Sequence, residues 1–172
     1  MLGLWFAAGL ALGGLLTGTL LGLVAVLVPL SPTRGSLLLA AATSVALAAY
    51  DLGVASVELP QRRSLVPQEV FLRSPALGFV RFGLEFGSGV RTYVTSAAPY
   101  AVAALVLGAT EGVVAGALMG LAFGLGRALA PLQAVAGGER YWAGDVARVS
   151  RAVERAGSVV VAVVAVGLAL HW

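Results

Sequence analysis

The sequence predicts an all-α chain, a polytopic bundle of helices that takes a lipid bilayer as its solvent. Three observations predict it: long apolar stretches parted by short polar ones, too few charges to coat a water-facing globule, and glycines recurring every fourth residue. Of 172 residues, 59% are apolar and 11% charged, against roughly a quarter charged in soluble domains. The mean hydropathy is +0.96. Residues 1–172 read as a single transmembrane domain of about five spans, the third of them broken.

The first span covers residues 2–28 and closes at Pro29, Ser31 and Pro32. Gly14, Gly18 and Gly22 recur at a spacing of four, as do Gly9 and Gly13, and such ridges let a second helix approach closely in lipid. The apolar run lacks a basic leader and is about twice the length of a signal-peptide core, so it is expected to stay in the mature protein. Residues 36–57 form the second span. Asp51 falls either well inside it, where a carboxylate needs a partner, or at headgroup depth if the helix ends early. The connection 58–75 holds Arg62, Arg63 and Arg73 with Pro60, Pro67 and Pro75, which forbid a long helix.

The third segment, residues 76–109, organises the chain. A straight helix of that length would reach about 51 Å, well beyond the ~30 Å hydrocarbon core of a bilayer. Gly87-Ser88-Gly89 and Pro99 mark a break. Two readings are open: the helix breaks within the membrane, or residues 76–91 lie at the interface and 92–109 cross alone. Arg81 and Glu85 share a helical face, opposed by Phe79, Phe82 and Phe86. In the first reading the charges must pair, Arg81 with Glu85 and Arg91 with Asp51, and the freed backbone faces a polar cavity of the kind that binds ions or small polar solutes. Asp51, Arg81, Glu85 and Arg91 are therefore the candidate site residues.

The fourth span, 112–130, carries Gly112, Gly116, Gly120 and Gly124 four apart, a glycine zipper expected to pack on the third segment or the first span. Arg127 is expected in its last turn, snorkelling to the headgroups. Residues 131–156 form a second basic connection, with a helix from Trp142 lying on an anionic leaflet, and the fifth span is 157–170. Arginines concentrate in the second and fourth connections, which puts both in the cytoplasm. A plasma (inner) membrane protein with its N-terminus inside and its C-terminus outside follows.

Every basic residue is Arg and most lie between apolar runs, a topology pattern that argues against nucleic acid as a partner. With no Cys and one His, thiol exchange, thiolate metal sites and His-rich metal sites cannot be carried by this chain alone. No nucleophile-plus-base set, metalloprotease motif or phosphate-binding loop is present, so neither an enzyme nor a cofactor is expected. The partners expected are the bilayer, an unidentified ion or small molecule, and other subunits, alike or different, docked through glycine-rich helices. A small permease-like transporter and a non-catalytic subunit or scaffold of a larger complex both fit.

ELPQRRSLVPQEV, then GFVRFGLEFGSGVRTYVTSAAPY, then GALMGLAFGLGRALAPL resemble in order the second repeat of the CcdA/DsbD-type transmembrane family of cytochrome c biogenesis and thiol-disulfide electron transfer. The resemblance implies inverted three-helix repeats, each opening on a broken helix, with residues 1–57 as the last two helices of the first repeat. The family's reactive cysteines have no counterpart here, so a redox role would need cysteines from a partner chain.

Overall fold

Glycine positions decide which helices touch. The computed structural model describes residues 2–28, 32–55, 74–89, 96–109, 112–137 and 145–172. Among them lie six helices and no strand: α1 (Leu2–Leu27), α2 (Arg34–Asp51), α3 (Pro75–Ser88), α4 (Ala98–Ala109), α5 (Val113–Gly137) and α6 (Asp145–His171). By length and composition one of these, α1, can cross a membrane unaided; Ala98–Ala109, Val113–Leu129 and Arg155–His171 are shorter apolar helical stretches.

The helices form two groups of three. In the first, α1 lies between α3 and α5. Gly14, Gly18 and Gly22 of α1 meet Gly124, Gly120, Gly116 and Val113 of α5, so the two helices run antiparallel with their backbones in contact. A methyl group at Gly120 would lie 2.7 Å from Gly18 Cα, and one at Gly116 would lie 2.9 Å from Gly22 Cα. Neither fits without moving backbone. On its other side α1 offers Gly9 and Gly13 to Gly83 and Gly87 of α3, here in parallel. Leu10, fully buried, has its carbonyl oxygen against both Gly87 and Gly124. Phe6 stacks on Phe82 with ring centroids 5.3 Å apart, and Phe86 sits 6.1 Å beyond Phe82.

In the second group α2 lies between α4 and α6. Leu37, Ala41, Leu105, Ala165 and Ala169 form its core, and Met119 of α5 packs against them to join the two groups. On α6 the buried positions Ser158, Ala162, Ala165 and Ala169 form one helical stripe, while Val160 and Val163 stay exposed. One polar group in the interior, Ser44 Oγ, has no hydrogen-bond partner among the described residues.

The expected break of the third segment is present, and helix boundaries differ from the sequence expectation at three other places. α2 stops at Asp51, where Gly53 turns the chain with φ +78°, so Asp51 is its last residue and not an interior one. The third segment is two helices, and α3 ends on Gly89 in the left-handed conformation, φ +68°. Gly89 is doubly required there, because a β-carbon would also press Pro99 Cβ at 3.1 Å. α5 runs past residue 130, through Pro131, to Gly137, which leaves Arg127 well inside the helix. Residues 145–156 are continuous with the expected fifth span as one helix. Gly112 meets Gly22 of α1 through its carbonyl oxygen, 3.1 Å from a β-carbon placed at Gly22, and not through a face of its own. It precedes the helix at φ +129°, and nothing lies within reach of a β-carbon there.

Candidate functional site

The two halves of the broken segment belong to different groups: α3 docks on α1, α4 on α2. The break is therefore one of the places where the chain passes between them, since successive helices alternate between the groups. A helix end leaves up to four unsatisfied carbonyls or amides, and a break exposes both kinds. Here each end is completed by side chains from elsewhere.

At the C-terminus of α3, Ser88 donates its hydroxyl to Glu85 O at 2.9 Å and Thr17 of α1 donates to Ser88 O at 3.3 Å. Arg127 of α5 donates to Phe86 O at 3.0 Å, with its guanidinium carbon 3.9 Å from the centre of the Phe86 ring. A cation at a helix C-terminus is favoured by the helix dipole, and the ring face adds a cation–π attraction. The expected headgroup-snorkelling role for Arg127 is thus corrected: the side chain turns inward to close α3. Arg127→Lys loses the planar stack and is expected to lower stability by about 1–2 kcal/mol; thermal unfolding in detergent measures it.

At the N-terminus of α4 the polarity reverses, and so does the charge. Asp51 accepts a hydrogen bond from Ala97 N at 2.8 Å, another from the Ser96 hydroxyl at 2.8 Å, and a short one from the Ser158 hydroxyl of α6. Ser96 Oγ accepts from Ala98 N at 3.1 Å. Ser96, Ala97 and Ser158 are buried. A carboxylate facing the positive end of a helix and receiving three donors is a strong, charge-assisted cap. The other end of α4 is held from the same helix: Ser36 Oγ lies 2.9 Å from Gly108 O, and Ser36 itself completes a capping box with Thr33. Running antiparallel, α2 clips α4 at both termini.

Of the four charged candidates, Arg81 and Glu85 pair at 3.2 Å, with the Glu85 side chain 13% exposed and that of Arg81 53%. Asp51 is committed to α4 as described. Arg91 lies outside the described residues, and so does its expected pairing with Asp51. The three described candidates are not one constellation: Arg81–Glu85 belongs to α3, and Asp51 to the junction of α2, α4 and α6. Ser96 and Ser158 went unpredicted, although Ser158 is the lone polar residue in a run of Val and Ala.

Beside the break is a cavity of about 140 Å³ between α1, the end of α3, α4 and α5. Its wall is mostly apolar, with Thr17, Ser88 and Tyr100 as its hydroxyl-bearing residues, and none of Asp51, Arg81, Glu85 or Arg127 lines it. Its described wall is not the polar one the charges suggested, because the described candidates, Asp51, Arg81 and Glu85, complete a helix end or each other. Among the described residues no group of three or more His, Cys, Asp or Glu could hold a metal ion.

No family model matches the chain, and no curated protein or solved structure resembles it detectably.

Proposed function

We propose that this chain is a small polytopic plasma-membrane protein of the permease type, whose solute path passes the break between α3 and α4. The observation that carries the membrane part is an inverted distribution of side chains. On α1, Gly9, Gly13, Gly14, Gly18 and Gly22 are buried while Leu4 is 70% and Leu27 71% exposed. In water that arrangement wastes the hydrophobic effect. In lipid, leucine gains nothing by burial and close backbone packing drives association, so the same arrangement is favourable. Val114, Leu39 and Leu170, each 70% exposed or more, extend it to α2, α5 and α6.

The permease part rests on the discontinuous helix with a cavity at its break, the architecture by which transporters build solute sites at depth. A second reading draws on the same geometry. Asp51 and Arg127 are spent on helix ends, as in a non-catalytic subunit or scaffold, including one in cytochrome c biogenesis or thiol-redox machinery of CcdA/DsbD type whose cysteines come from a partner.

Topology is tested on a chain with no native Cys. Val66→Cys and Gly144→Cys are expected to react with an impermeant maleimide from the cytoplasmic side, and Glu111→Cys and Trp172→Cys from outside. Val66, Glu111 and Gly144 lie outside the described residues, so this experiment depends on the arginine pattern alone. Labelling of residue 66 on intact cells with residue 111 protected would reverse the orientation. For function, Ala103→Phe, which fills the cavity beside the break, is expected to leave expression intact and abolish complementation of a deletion. Full complementation by it, together with stable copurification in a larger complex, favours the scaffold.

A further inference from the structure

The cavity at the break has a chemistry of its own, apart from the charges around it. At about 140 Å³ it is close to the ~150 Å³ apolar cavity that, engineered into another protein, stays dry and binds benzene or xenon. Val102, Ala103, Val106, Pro99, Leu21 and Phe123 are the apolar side chains among its lining residues, the rest being mostly glycine. The described charges are engaged elsewhere. Arg81 holds Glu85, Asp51 caps α4, and Arg127 bonds the last turn of α3 at Phe86 O. The Thr17 hydroxyl proton is directed to Ser88 O, so what Thr17 offers a guest is a lone pair.

An ion in such a space gives up its hydration and meets no opposite charge among the described residues, a cost of many kcal/mol. A neutral guest meets no such cost. We infer that the cavity is a binding site for a neutral, mainly apolar molecule no larger than benzene, held by the wall of α4 and α5 and able to give one hydrogen bond to Thr17. This deepens the permease reading, on which its place in a transport path rests, by naming the class of solute. The binding itself does not require flux.

The test is thermal unfolding of the purified full-length protein in detergent with benzene near saturation. Binding to the folded state alone raises the midpoint by mass action, here by about 2–5 °C. Benzene also enters the micelle, so the comparison is with Ala103→Phe, which puts a ring into the same space and should show no benzene-dependent rise. If that variant does not fold, the wild-type protein still decides the matter through a size and charge series. Naphthalene, which partitions into micelles at least as readily, and benzoate, the charged analogue of benzene, should both leave the midpoint where the micelle alone puts it.

Equal shifts with benzene and naphthalene would overturn the inference, because the effect would then be solvation of the whole bundle. A benzoate shift matching that of benzene, lost in Arg91→Gln, would overturn it in favour of an anion site. Reconstituted vesicles separate the two claims: stabilisation by benzene with no solute flux retains the site and ends the permease reading. Flux of a charged solute with no stabilisation by benzene ends this inference and retains the permease reading.

Discussion

Gly120→Leu is expected to prevent α1 and α5 from packing together, at a cost of at least about 3 kcal/mol, beyond the usual range for overpacking. The usual range assumes neighbours that can rotate away. Here the neighbours are backbone: a β-carbon at Gly120 meets Gly18 Cα at 2.7 Å and Gly18 N at 2.9 Å, and comes closer still to Gly14 O. α1 and α5 must then separate along much of their length. The same helix provides its own controls. Gly126 has nothing within 4 Å of an added β-carbon, so Gly126→Ala should gain helix propensity, about 0.5–1 kcal/mol. Val114→Leu, at a position 74% exposed, should change nothing measurable. Three thermal midpoints suffice, and equal values for all three variants would mean that the ridge has no packing role.

The second large effect is at Asp51. Asp51→Ala removes one acceptor that serves three donors on two other elements, the Ala97 amide, Ser96 and Ser158. Leaving those donors unsatisfied in a buried place is expected to cost about 2–4 kcal/mol. Asp51→Asn keeps one oxygen but puts an NH₂ group among donors, so its cost should fall in between. Ser158→Ala removes one donor and leaves the acceptor served by the others, and should cost least. Thermal unfolding ranks the series, and an Asp51→Ala protein as stable as the parent would remove the carboxylate from its role as the cap of α4.

Sequence carried the periodic features well. Gly116, Gly120 and Gly124 stand out because their spacing of four repeats along one helix, and the ridge does pack. Its partner was left open between two helices, since periodicity names a face and not what lies opposite. Gly83 and Gly87 have the same spacing and pack as tightly on α1, yet they sit among Arg81, Glu85 and three Phe residues, whose amphipathic signal hid them. The break was legible because Gly89 and Pro99 each restrict the backbone locally. The partners that complete it were not. Asp51 and Ser158 are 107 residues apart, and a serine in an apolar run has no local pattern that says where its hydroxyl goes. Arg127 was misread for a different reason: Pro131 usually ends a helix, and once α5 continues through it the arginine is no longer terminal.

The double clip of α2 on α4 has a consequence for how the protein opens. A helix of 12 residues is short, and α4 is packed along α2 and held by it at both ends, through Ser36 and Asp51. Its amide protons should then exchange with solvent only when α2 lets go, and the two helices should behave as one cooperative unit in which neither frays ahead of the other. α3 has no such clip from α2. It docks on the glycines of α1, and it can loosen on a separate schedule. A single stretch of sequence, residues 75–109, thus holds two pieces with different exchange rates, divided at Gly89 and each tied to the helix it leans on.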